Sequence, residues 1–167
     1  MAPKILRITG VKNSGKTRLI EALSGEFVGR GFRVAALKTT SHNHEFDRPD
    51  TDTWRFRQAG CESAVLISPD EFVCHAKSIA RESRDRIYEI LYGNMDLIFV
   101  EGAGEFSGPM IECIESGETA GFPKNPDLIA AVSDGKYVPD INCFGFDSIS
   151  KLADYVIEKL NIKNAEI

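Results

Sequence analysis

Gly10-Val11-Lys12-Asn13-Ser14-Gly15-Lys16-Thr17 decides the reading of this chain. The octet fits G-x-x-x-x-G-K-[ST], a pattern in which glycines let the backbone bend tightly and turn N–H groups inward onto phosphate. The helix that follows adds the partial positive charge of its N-terminus at the same spot. The flanks suit that use. Residues 4 to 9 alternate apolar side chains, as a strand does, and Leu19, Ile20, Leu23 and Phe27 recur at helical spacing until Gly29 and Gly31 end the run. Strand, loop and amphipathic helix in that order assign Gly10, Lys12, Asn13, Ser14, Gly15, Lys16 and Thr17 to the phosphates of a purine nucleoside triphosphate. Lys16 is the catalytic cation at the β- and γ-phosphates, and the Thr17 hydroxyl is a ligand of Mg2+.

A metal held by Thr17 needs a carboxylate from another strand end. Asp96-Leu97-Ile98-Phe99-Val100-Glu101-Gly102 places one directly after a buried apolar run, so Glu101 is the second metal and catalytic candidate. No N-K-x-D sequence for guanine is present. The nearest residue for reading a base is Asp134, which follows the apolar run Leu128 to Val132.

Outward from these motifs, residues 33 to 38 read as a second strand, and the polar stretch from Thr39 to Thr53 has no periodicity and reads as a long functional loop. A short helix over 53–59, strands over 63–67 and 72–75, and a helix over 82–91 follow. Leu97 to Val100 and Leu128 to Val132 are continuous apolar runs, as expected of parallel strands covered on both faces. Asp147 is placed to cap a last helix with Ile149, Leu152, Val156 and Leu160 on one face. Strands alternating with helices predict a three-layer α/β P-loop NTPase fold with a mostly parallel central sheet, in one domain over residues 1–167.

The chain has 167 residues, 43% of them hydrophobic, enough for one compact core. Twenty basic against 25 acidic side chains, a net charge of −5, give no electrostatic reason to expect nucleic acid or an anionic membrane surface. No apolar run approaches the roughly 18 residues that span a bilayer, and no signal-peptide stretch opens the sequence, so a soluble cytoplasmic protein is expected. Cys61, Cys74, Cys113 and Cys143 are scattered without a C-x-x-C pair and read as reduced thiols.

Taken together, Gly10 to Thr17, then Lys38 with His42, His44, Phe46, Asp47, Asp52, Trp54, Arg55 and Ala59-Gly60, then Asp96 to Gly102, resemble the MobB family of molybdopterin-guanine dinucleotide biosynthesis. Pro109-Met110-Ile111-Glu112 and Asn125 to Asp134 are similar as well. The resemblance implies a homodimeric adapter that binds GTP with Mg2+, hydrolyses it weakly, and assists the guanylyltransferase joining GMP to molybdopterin, with molybdopterin as cargo. It implies Lys38, Asp47, Asp52 and Arg55 near the nucleotide or the pterin. Slow hydrolysis agrees with the absence of any residue with a clear claim to orient the attacking water. Two departures stand out: Thr39-Thr40-Ser41 follows Lys38 where the family commonly has a His-rich run, and Ala103-Gly104-Glu105-Phe106 follows Gly102 where it tends to have Phe-Lys.

Two other classes compete. Val100 to Gly104 looks like the corresponding string of dethiobiotin synthetase, which would make the chain an ATP-dependent ligase or kinase on a small acid, with Lys38 on the activated phosphate. The G-T-D-T-x-V-G-K-T loop of that enzyme is lacking. His42 and His44 with Asp47 could also supply mixed N and O ligands to a transition metal.

Overall fold

The computed structural model describes residues 2–40, 45–77, 81–102, 106–115, 121, 125–134 and 141–163. It divides into two compact units, one of Met1–Thr40 with Leu91–Ile167, the other Ser41–Ile90. The aperiodic polar stretch after the second strand therefore opens an inserted unit.

In the larger unit, β1 (Lys4–Thr9) leads into α1 (Lys16–Gly29), and β2 (Val34–Lys38) follows. In the inserted unit are α2 (Asp52–Gln58), β3 (Ser63–Ile67) and β4 (Phe72–Ala76), and α3 (Arg81–Tyr92) runs from it to the chain's return. Strands β5 (Leu97–Glu101), β6 (Met110–Ile114), β7 (Leu128–Ser133) and β8 (Cys143–Phe144), a 3₁₀ turn at Phe146–Ser148 and α4 (Ile149–Leu160) complete the larger unit.

Six parallel strands form its sheet in the order β2-β5-β1-β6-β7-β8. From β1 the chain moves out to β2, returns through β5, then passes over β1 to β6. Strand order thus reverses at β1, and crevices at such switch points, beyond the carboxyl ends of the strands, are where ligands bind in open α/β sheets.

The apolar periodicity of α1 is spent on this sheet. Leu19, Leu23 and Phe27 are fully buried, as are Leu152, Ala153 and Val156 of α4, and both helices join one cluster with Leu6, Ile8, Leu97, Phe99, Ile111 and Val132. Phe27 meets Phe99 edge-on with ring centroids 5.9 Å apart. Each of the larger side chains, Ala153 excepted, contributes roughly 1.5–3 kcal/mol by leaving water. Because strand side chains alternate, Ile98 and Val100 point to the opposite face; they are buried too, so the sheet centre is covered on both sides.

Three features differ from the sequence reading. Strand β6 is fully buried yet was not foreseen, because Glu112 interrupts its apolar pattern; the carboxylate is satisfied by Gly121 N, which donates to Oε1 at 2.8 Å. Strand β8 has two residues, too few for any periodic signal. Asp147 lies inside the 3₁₀ turn, and Ser148 is the residue that starts α4, so the helix begins one residue later than a cap at Asp147 would set it.

The inserted unit pairs β3 and β4 as an antiparallel hairpin with Ser63 opposite Ala76 and Ile67 opposite Phe72. Its helix α2 is capped by Thr51, whose hydroxyl accepts a hydrogen bond from Trp54 N at 3.3 Å and so satisfies one of the free amides of the first turn.

Candidate nucleotide site

The octet joins the end of β1 to the start of α1, as its sequence pattern requires. Gly15 occupies the position before the helix with φ +93°, and Gly10 has φ +136°, both conformations that disfavour a side chain. The first intrahelical bond runs from Leu19 N to Gly15 O at 2.8 Å, so the amides of Lys16, Thr17 and Arg18 stand ahead of the helical ladder at its positive end. Lys16 Nζ curls back over the loop and donates to Gly10 O at 3.0 Å and to Val11 O. Lys12 and Asn13 are exposed at the bend, whereas Ser14 is buried and its N–H is committed to Val11 O at 3.3 Å.

Parallel pairing brings the second half of the site to this loop. Strand β5 lies between β1 and β2 with Ile8 opposite Glu101 and Lys38 also opposite Glu101. The carboxylate of Glu101 is 12% exposed and bridges two elements: Thr17 Oγ1 donates to Oε2 at 3.1 Å, and Lys38 Nζ donates to Oε1 at 2.8 Å. Lys16, Thr17, Lys38 and Glu101, read from three separate stretches of sequence, thus converge beyond the carboxyl ends of β1, β2 and β5. One carboxylate and one hydroxyl oxygen at 3.1 Å are a hard-oxygen pair of the kind Mg2+ takes when phosphates and water complete its shell.

Glu101 titrates below its ordinary value of 4.5. Burial opposes ionisation, but the hydrogen bonds from Lys38 and Thr17 and the charges of Lys38 and Lys16 outweigh it. Since the folded value is depressed, the ionised carboxylate contributes stability that is complete above the unfolded value and is lost as pH falls through the folded one. Glu101→Gln is therefore expected to flatten the acid limb of a stability profile recorded by thermal unfolding between about pH 3 and pH 6. An acid limb as steep as that of the parent would place the carboxylate's partners elsewhere.

Cys113 lies near the same site, and burial pushes its thiol up to about 12, so it is a neutral core group with no nucleophilic part.

The remaining sequence candidates fall in two places. Asp134 follows β7 and is paired with Arg18 at 3.7 Å, both side chains being well exposed. Asp47, Asp52 and Arg55 belong to the inserted unit. Asp47 is buried there: Oδ1 accepts from Thr53 Oγ1 at 3.1 Å and Thr51 Oγ1 at 3.2 Å, Arg57 Nη1 stands 3.5 Å from Oδ2, and His75 Nε2 stands 3.6 Å from Oδ1. Burial opposes its ionisation, yet the Thr53 and Thr51 hydroxyls with His75 and Arg57 hold its carboxyl below the usual range. Asp52 and Arg55 are exposed on α2. His42 and His44 lie outside the described residues, as do Ala103, Gly104 and Glu105; among the described residues no three His, Cys, Asp or Glu side chains converge as a metal site.

Sequence reasoning missed Gly145, Phe146 and Asp147, which line a cavity of about 440 Å³ together with Arg18 and Asp134. Their only sequence signal is a polar turn after a strand too short to recognise.

The chain is similar to known proteins over most of its length. The family profile of molybdopterin guanine dinucleotide synthesis protein B, MobB, matches residues 5–134, which contain the loop, Lys38, Glu101 and Asp134. The molybdopterin-guanine dinucleotide biosynthesis adapter protein of Haemophilus influenzae is 27% identical over 154 residues, covering 91% of this chain and 86% of the relative. That of Escherichia coli is 25% identical over 168 aligned positions, covering 96% and 95%. A crystal structure of molybdopterin-guanine biosynthesis protein B superposes with a TM-score of 0.70 at 25% identity, over 94% of this chain and 99% of that one. Bacillus subtilis MobB shares the fold with a TM-score of 0.74 at 21% identity, over 96% and 99%. With a family match that runs from β1 through β7 and a superposition over 94% of its length, the chain belongs to the MobB family.

Proposed function

We propose that the chain is a GTP-binding adapter of molybdenum-cofactor biosynthesis that acts as one nucleotide-binding domain beside a guanylyltransferase. The observation that carries the nucleotide half is the bond from Thr17 Oγ1 to Glu101 Oε2 at 3.1 Å, directly below the phosphate loop. Thr17 and Glu101 would hold Mg2+, whose charge would offset that of the β- and γ-phosphate oxygens. Lys16 exchanges its two loop carbonyls for phosphate oxygen, and Lys38 remains beside Glu101 as a second cation at the γ end. The adapter half rests on family membership and on the names of the relatives.

The same reading includes a homodimer in the cytoplasm with molybdopterin as cargo. Val65, Ile67 and Phe72 share one face of the hairpin and are 44–73% exposed, an apolar strip that supports self-association. Among the described residues no helix is long and apolar enough to cross a membrane. Asp52 and Arg55, exposed on α2, are available to cargo or partner, while Asp47 acts by holding α2 and the hairpin in place. Slow hydrolysis is part of the same reading: among the described residues, Lys38 and Thr17 are both engaged by Glu101. The ligase alternative is not favoured, since the family match runs through the string that suggested it.

Calorimetric titration with GTP and with ATP in magnesium tests the proposal. Binding of GTP at least roughly tenfold tighter than ATP, about 1.4 kcal/mol, is expected. Equal or preferred ATP binding would overturn the adapter reading, and co-purification with a guanylyltransferase tests the partner separately.

A further inference from the structure

Lys38 and Glu101 are the last pair in the β2–β5 register, and β2 is the edge strand of its sheet. Lys38 therefore has a ladder on one side only, just before the chain leaves for the inserted unit at Ser41. Strand ends held on one side fray first, and a frayed end here would carry Lys38 away from the carboxylate it meets at 2.8 Å.

Thr39 closes that end. Its N–H donates to Glu101 O at 2.9 Å, beyond the paired strands, and its hydroxyl donates to the same carbonyl at a longer 3.4 Å. The chain after Glu101 turns at Gly102, φ +116°, so closely against Thr39 that a Cβ there would be driven into Thr39 Oγ1 and stand 2.5 Å from Thr39 O. Both the backbone conformation and this neighbour call for glycine. The two strands are thus clasped immediately beyond the pair of residues that the site uses.

We infer that Thr39 is a positioning residue of the nucleotide site: by binding the Glu101 carbonyl and lying against Gly102, it sets the Glu101 carboxylate between Thr17 and Lys38 and so governs how much Mg2+ adds to triphosphate binding. The inference rests on the nucleotide reading of the phosphate loop and deepens it at the metal. Both bonds end on the Glu101 carbonyl, so the action passes through the main chain to the carboxylate. That carboxylate has its two oxygens on two elements, Oε2 at Thr17 of α1 and Oε1 at Lys38 of β2, and a shift of the β5 end against either breaks one of them. Mg2+ tolerates such a shift poorly, because its oxygen ligands must stand in near-ideal octahedral geometry at about 2.0–2.1 Å. Thr39 also opens the stretch in which this sequence departs from its family, so the hydroxyl is a property of this chain.

The test is calorimetric titration of the full chain with GTP in magnesium and in EDTA, the ratio of the two affinities being the readout. In the parent, magnesium tightens binding. Thr39→Ala is expected to lose roughly 2- to 12-fold of that gain, the range of one hydrogen bond, with its affinity in EDTA unchanged, whereas Thr39→Ser is expected to keep the gain. Gly102→Ala, whose methyl forces Thr39 off β5, is expected to bind GTP alike in both buffers, and the two Thr39 variants decide the matter if a thermal melt shows it unfolded. An unchanged gain in Thr39→Ala, an equal loss in magnesium and in EDTA, or the same loss in Thr39→Ser overturns the positioning role while sparing the phosphate loop. A parent that gains nothing from magnesium overturns the metal pair with it, and a parent that binds GTP in neither buffer overturns the nucleotide reading as a whole.

Discussion

Lys16→Ala is expected to weaken GTP binding in the presence of magnesium by roughly 10- to 150-fold, the range that corresponds to losing one charge-assisted hydrogen bond of about 1.5–3 kcal/mol. The upper end is the better guide, because removing the ammonium also leaves phosphate charge uncompensated at a helix end that supplies only partial positive charge. A smaller term works the other way. In the free loop Lys16 Nζ already donates to Gly10 O and Val11 O, so the parent gives up those bonds when it turns to phosphate and the variant does not. Neutral carbonyls compete poorly with a triphosphate, and the loss dominates. The fold should survive, since Lys16 is partly exposed and is not a member of the buried core cluster. Calorimetry against GTP with a thermal melt alongside checks both halves: parental affinity in a folded variant would remove the phosphate loop from the account.

The loop was legible in the sequence because its signature is local. Six residues of alternating pattern, the glycines and one amphipathic helix occupy residues 4–29, although Gly10 also lies against Cys113 of β6. Glu101 was legible as a strand end, but its joint engagement by Thr17 and Lys38 depends on β5 lying between β1 and β2, a register that no single segment encodes. Strand β6 was hidden by Glu112, a buried carboxylate whose partner, Gly121 N, is nine residues further on. Burial of an acid inverts the pattern on which strand recognition relies.

Asp47 shows the same limit from the other side. The family resemblance implies a place near the nucleotide or the pterin for it, and the structure adds that two threonines, Arg57 and His75 surround it within the inserted unit. The threonines are four and six residues away and could have been suspected as a turn and cap. His75 reaches it from β4 through tertiary structure alone. The cavity after β7 and β8 was beyond sequence reading for a related reason: two of its walls come from strand ends that become neighbours only when a two-residue strand pairs.

Gly10→Ala is expected to destabilise the protein by roughly 2–6 kcal/mol and to abolish tight triphosphate binding, a larger stability effect than any change to the loop's charged groups. Two costs combine. The backbone at φ +136° is a conformation that side chains rarely adopt, worth about 1–3 kcal/mol of strain. The added methyl would also be driven into Cys113 O and stand 2.6 Å from Ser14 Oγ, an overpacking cost of about 1–3 kcal/mol. Neither neighbour yields easily: Cys113 lies opposite Val132 in the β6–β7 ladder, and Ser14 is buried under the loop. Relief can come only from moving Gly10 itself, which shifts the carbonyl that holds Lys16 and the amides that would face phosphate. Stability and binding should therefore fall together, unlike in Lys16→Ala, where binding falls alone. Denaturant unfolding and GTP titration of the two variants side by side read this directly. A Gly10→Ala protein with parental stability would mean that the loop relaxes without β6, and the close approach of β1 and β6 would then play no part in shaping the site.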